Sequence, residues 1–237
     1  MSADTAAQSR TLYAQLLALP APLYPAAGRF PADGLDAALQ AQTAALLAHP
    51  ALECAYHLLN HALYPAHFLV RHMQNARAGQ HLHGILHRIE GDYANARVWY
   101  REASGLGERA NEATVREGEE EFVRFWSGVA GVGAGDDERR RKEKALDAAM
   151  AYLDRVEKLK NASKGQVQDA GRGTEERKDL EKLSRAELVS VVEWIAAKYG
   201  WGRWNGGDAS RAYTESTDEQ KREMVDQQSG GEGFRKF

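Results

Sequence analysis

All eight histidines of this 237-residue chain fall between His49 and His87, about a sixth of its length. Imidazole is the commonest transition-metal ligand and the side chain best suited to moving protons near neutral pH, so this segment concentrates the candidate chemistry. His83 and His87 are four residues apart and Glu90 follows three later, which puts all three along one flank of a helix. Upstream, Glu53, His57 and His61 repeat the four-residue spacing. Two imidazoles with a carboxylate suit zinc or non-haem iron. One helix does not complete such a site, because His83 and Glu90 stand about 10 Å apart along a helix axis rising about 1.5 Å per residue. The expected metal set is therefore shared: His83 and His87 from one helix, with Glu53, His57 or His61 from a neighbour.

Other readings compete with this one. Without a metal, His83 or His87 can serve as a general base oriented by Glu90 or Asp92. Cys54 precedes His57 by three residues, the spacing of a thiol–imidazole pair, although its apolar helix suits a buried structural thiol. A histidine beside an apolar stripe also serves simply as a hydrogen-bonded core residue. The HExxH and CxxC patterns that would specify zinc more strongly are absent.

These residues must be positioned by helices, because apolar side chains recur at helical spacing and no convincing strand alternation is found. Helices are expected at Thr11–Leu19, Gly34–Ala48, Pro50 to about Tyr64, Ala66–Met73, Gln80–Glu90, Tyr93–Ala103, Ala113–Trp126 and Glu138–Asn161. Pro20 and Pro65 are read as breaks, and Gly91-Asp92 as a tight turn. Ser184-Arg185-Ala186-Glu187 has the form of a capping box opening a last helix, which Gly200 closes. The fold class is all-α, an irregular helical bundle. Residues 8–127 form its core domain, 138–200 hold C-terminal helices packed back on it, and 201–237 form a mobile tail. Trp194, Trp201, Trp204 and Tyr213 either pin the last helix to the body or form a partner motif.

Two resemblances refine this. Gly91-Asp92-Tyr93-Ala94, continuing through Tyr100 to Ala103, resembles the second half of a tetratricopeptide hairpin, in which small residues let paired helices approach closely. No second copy follows at the roughly 34-residue period of that architecture, so one helical hairpin is expected and not a solenoid. The string His87-Arg88-x-Glu90-x-Asp92-x-x-Asn95-x-x-x-Trp99-Tyr100-Arg101 resembles the signature of a family of uncharacterised helical proteins of fungi and some bacteria. The likeness is sharp over about Leu82 to Arg101. It implies a site at His87, Arg88, Glu90, Asp92, Asn95 and Arg101 without naming a reaction. Arg88 or Arg101 would then hold an anionic group of a substrate, although Arg88 and Asp92 also have the spacing of an ordinary helical ion pair.

Composition narrows the classes. A net charge of −3 argues against nucleic-acid binding through bulk electrostatics. Residues 1–104 carry seven Arg, no Lys and seven acidic residues, leaving 24 basic and 27 acidic residues for the remainder. The first part is thus the poorly charged core, and ERRRKEK at Glu138–Lys144 reads as a solvated helix start. A single cysteine excludes an internal disulfide framework and fits a reducing compartment. No signal peptide or transmembrane run is recognisable, so the expected location is the cytoplasm, with the nucleus as the alternative. Two functions follow: a small metal-dependent enzyme acting on a small anionic substrate, or a helical scaffold that binds a protein partner and uses its histidines structurally.

Overall fold

Proline and left-handed residues decide where the helices stop and start. The computed structural model describes residues 2–24, 34–108, 121–132, 135–163 and 172–204, and among these there are nine helices and no strand. The first, α1 (Ser2–Ala18), ends ahead of Pro20. It begins at Ser2 and not at Thr11, because the alanine-rich start continues the turn that buries Leu12 and Leu16. Asp36 caps α2 (Ala37–Ala45) by accepting the Ala38 and Leu39 N–H groups at 2.8 and 3.0 Å. Pro50 occupies the first turn of α3 (Pro50–Leu59), where its missing N–H costs nothing.

α3 stops at Leu59, short of the expected Tyr64. His61 takes a left-handed φ of 58°, and Ala62 and His61 donate to the carbonyls of His57 and Leu58 at 2.8 and 3.0 Å. This is a Schellman closure with histidine in the position that glycine usually fills. The next helix, α4 (Leu63–Arg71), carries Pro65 inside its first turn. Pro65 therefore opens a helix where the sequence reading had it break one. A proline ring excludes the carbonyl four residues back, so the turn has to fall before it.

α5 (Arg77–Glu90) and α6 (Tyr93–Ala103) form the expected hairpin. Gly91, at φ 82°, ends α5, and Asp92 caps α6 through Asn95 N–H at 3.3 Å. At Gly84 a Cβ would lie 2.3 Å from Tyr100 Cδ1, so glycine is what lets that buried ring rest against the α5 backbone. Tyr100 and Ala96, one turn apart on α6, are fully buried.

The remaining helices are α7 (Glu121–Val129), α8 (Glu138–Ser163) and α9 (Arg172–Tyr199). α9 packs on α3, α7 and α8, and one apolar cluster runs from Leu12 through Leu82, Ile85, Leu86 and Trp126 to Ile195. Each fully buried aliphatic side chain in it contributes roughly 1.5–3 kcal/mol. α9 begins at Arg172 and not at Ser184. Ser184 and Glu187 are no capping box: both lie mid-helix and fully buried, with Ser184 Oγ donating to the Pro22 carbonyl at 2.6 Å.

Trp201 lies against Tyr13 at 5.5 Å, the Trp204 ring stands edge-on to His49 at 4.5 Å, and the Trp204 backbone N–H donates to the Leu47 carbonyl at 2.8 Å, so this segment is pinned to the body. Tyr213, the tail beyond residue 204, and the part of the Ala113–Trp126 helix before Glu121 lie outside the described residues. Among the described residues no helix is long and apolar enough to cross a membrane.

Candidate metal centre

α5 presents two polar faces, separated by its 3.6-residue period. Positions 83, 87 and 90 look toward α4. Positions 81, 84 and 88 look toward α6 and α9.

On the first face His83 and His87 stack with ring centroids 4.8 Å apart and planes 16° apart, as i, i+4 neighbours should. From α4, His67 stands edge-on to both, at 5.5 and 5.4 Å. One ligand atom from each of these three histidines falls within 4.8 Å of the others. Among the described residues this is the group of three His, Cys, Asp or Glu side chains close enough to share an ion. His83 is held from behind by Trp99, stacked at 3.9 Å. Glu90 Oε2 accepts a hydrogen bond from His87 Nδ1 at 2.9 Å, which leaves the Nε2 lone pair of His87 for another partner. The other oxygen of Glu90 is buried, accepts no hydrogen bond from the described residues, and lies 3.7 Å from His67 Nδ1. His83 and His87 are buried, and the His67 side chain is 12% exposed, so the cluster sits just under the surface.

The second face is closed. Arg88, fully buried, donates from Nη2 to Glu187 Oε2 at 3.1 Å, from Nε to Tyr100 OH at 3.3 Å and from Nη1 to the Pro22 carbonyl at 3.3 Å. His81 bridges two carboxylates, Nδ1 to Glu121 at 2.7 Å and Nε2 to Glu187 at 2.9 Å. Both ring nitrogens must therefore carry protons. Burial pulls the His81 pKa down, but the charges and hydrogen bonds of Glu121 and Glu187 outweigh it and raise it to about 9. Burial likewise disfavours the Glu187 carboxylate, yet Arg88, His81 and the Tyr100 hydroxyl hold it below the usual carboxylate range. Two cations and two anions cancel in a dry environment, an arrangement that is costly to disturb from either side.

The structure divides the residues singled out in the sequence. His83, His87 and Glu90 come together. Arg88 does not join them: it is spent in the core, pairing with Glu187 and not with Asp92. Asp92 and Asn95 bond each other at 2.7 Å in the α6 cap, and Arg101 is exposed at the end of that helix. The expected facing row is not in the cluster either. His57 lies 3.6 Å from Glu53 on α3, and His61, in its left-handed turn, donates from Nε2 to the Pro20 carbonyl at 3.0 Å. The turn at residues 60–62 is the reason, since it sets α4 and not the Glu53–His61 row beside the His83 face. His49 caps α3 and stacks on Tyr199 at 3.8 Å; burial, with Lys198 nearby, lowers its pKa to about 4. Burial raises the Cys54 thiol well above its ordinary value, and its Sγ contacts the Ala66 carbonyl at 3.6 Å, so no thiolate nucleophile forms there.

Two residues of consequence escaped the sequence reading. His67 belongs to a separate helix, and its only signal was membership in the histidine-rich segment. Glu187 was absorbed into an apparent capping box. No protein-family model matches the chain, and neither a search of curated proteins nor one of solved structures finds a match.

Proposed function

We propose that this chain is a small metal-dependent enzyme whose centre is His67, His83 and His87, with zinc the ion that its donors suit best. The carrying observation is the approach of three imidazole ligand atoms, from two helices, to within 4.8 Å of one another. Tetrahedral zinc with Zn–N bonds near 2.05 Å asks for nitrogen separations of about 3.4 Å, so the rings would close by up to about 1.4 Å on binding. Glu90 would act behind the ligands, holding the ring and the tautomer of His87 as carboxylates do behind many metal-bound histidines. Trp99 would restrict His83 in the same sense. Three nitrogen donors leave a fourth position for water or a substrate oxygen, and a zinc ion so held supplies Lewis acidity and an acidified water. Hydrolysis is the reaction class that this donor set serves most directly. Non-haem iron with two histidines and a carboxylate is less well served, because Glu90 is engaged with His87.

Metal uptake tests the reading. Metal-free protein titrated with zinc or cobalt is expected to bind one equivalent, with cobalt giving the visible bands of a tetrahedral site. His67→Ala and His83→Ala are each expected to abolish stoichiometric uptake while His57→Ala does not. Uptake unchanged in both of the first two variants would sink the proposal. The scaffold alternative draws on His49, His61 and His81, which all hold structure through hydrogen bonds. It predicts no stoichiometric metal in the wild-type chain.

A further inference from the structure

Along α4, Tyr64, His67 and Arg71 are spaced three and four residues apart, so Tyr64 and Arg71 flank His67 one turn to either side. Arg71 is half-buried, and it makes no hydrogen bond or close ion pair with the described residues. Burial lowers its pKa, with the Glu90 and Tyr64 charges acting against that shift, and the helix spacing sets Arg71 one turn from His67 on the flank of α4 that carries the cluster's third imidazole. A partly dehydrated guanidinium with open donors is suited to a planar oxyanion. The arginines expected to do this are otherwise placed. Arg88 is enclosed in the core, and Arg101 lies exposed at the C-terminal end of α6. The same stretch of α4 leaves two aromatic side chains in solvent, Tyr64 at 63% and Phe68 at 49% exposure.

We infer that Arg71 is the oxyanion-recognising residue of the three-histidine centre. A phosphate or carboxylate group of the ligand places one oxygen toward the open metal position and others on the Arg71 guanidinium, with Tyr64 and Phe68 offering a surface to its apolar part. This inference rests on the metal reading above. It assigns the anionic ligand class to a residue that the sequence pattern did not pick out.

The test uses cobalt-loaded full-length protein, with inorganic phosphate and benzoate as probes and the visible spectrum as readout. Both anions are expected to perturb the cobalt bands of the wild type. Arg71→Gln is expected to weaken this response by roughly tenfold or more, the scale of a charge-assisted hydrogen bond, with Arg71→Lys recovering part of it. Arg97→Gln, on the same molecule but outside the centre, should leave it unchanged. Tighter phosphate binding points to a phosphorylated ligand, and tighter benzoate binding to an aromatic carboxylate seated on Tyr64 and Phe68. Cobalt bands that ignore both anions, or that respond equally in Arg71→Gln, overturn the assignment and leave the metal centre standing. Absence of the bands removes the metal centre and this inference with it.

Discussion

On one face of α5, His81 and Arg88 are enclosed, and each of their side-chain nitrogens meets an acceptor: Glu121 and Glu187 for the imidazole, Glu187, Tyr100 and Pro22 for the guanidinium. On the other, three imidazoles cluster, and two of them, His67 and His87, lie beside the carboxylate of Glu90, one oxygen of which accepts no hydrogen bond from the described residues. The two clusters use the same side-chain types within a few residues of each other. They differ in charge balance and access. Two cations stand against two anions in the buried cluster, and this charge balance makes it a lock, although Glu121 Oε1 accepts no hydrogen bond from the described residues. The three imidazoles and Glu90 lie just under the surface without a matching set of cations, a donor set that suits a cation from solution.

The comparison can be broken most severely at Glu187. Glu187→Gln removes the anion between Arg88 and His81 and leaves two buried charges underpaired, so a loss of roughly 3–5 kcal/mol is expected in chemical denaturation. Stoichiometric metal uptake should survive in whatever fraction folds. A similar loss of affinity for metal would show that the two faces are one unit.

Next comes pH. His81 has a folded pKa of about 9 against an ordinary value of 6.5, so its protonated form is favoured by folding. Its contribution is complete below pH 6.5, declines between pH 6.5 and 9, and is gone above that. The groups facing it are Glu121, Glu187, Arg88 and Tyr100, with Arg77 lining the same small cavity; Glu187 is held below the ordinary carboxylate range, and Arg88 and Tyr100 are raised, so these three keep their charge across that interval. Denaturation midpoints should therefore fall across it in the wild type and stay flatter in His81→Gln.

On the opposite face, Glu90→Gln should weaken metal binding by about 10- to 100-fold, as loss of a supporting carboxylate does. Little change is expected in the stability of the metal-free protein. A large stability loss would make Glu90 a structural partner like Glu187. The smallest effect belongs to the exposed pairing of Arg97 with Asp154 and Glu157, where Arg97→Ala should cost under about 1 kcal/mol. A loss as large as that for Glu187 would mean that burial is not what separates these ion pairs.

Local pattern was legible in the sequence and tertiary placement was not. The α5–α6 hairpin was readable because Gly91-Asp92 is a chemical stop signal and the apolar stripe of Leu82, Ile85, Leu86 and Ile89 has an unambiguous period. Half of the candidate site was readable for the same reason, since His83, His87 and Glu90 share one helix. His67 was not, because its approach depends on how a neighbouring helix enters, and the left-handed turn at His61 that sets this entry uses a residue with no turn signature. Glu187 was misread for a related reason. Ser-x-x-Glu is the same string at a helix start and in a helix interior, and only the charges of Arg88 and His81 across the core distinguish the two.

Glu187 also carries a consequence for the order of events during synthesis. Its partners Tyr100, Arg88 and His81 precede it by 87, 99 and 106 residues. A growing chain therefore presents the Arg88 guanidinium long before its counter-charge exists, while His81 has Glu121 40 residues on and still lacks its second carboxylate. The centre of the molecule cannot dry out until α9 arrives. Native collapse is thereby tied to synthesis of α9, and a chain shortened before residue 187 is damaged at its middle and not merely at its end.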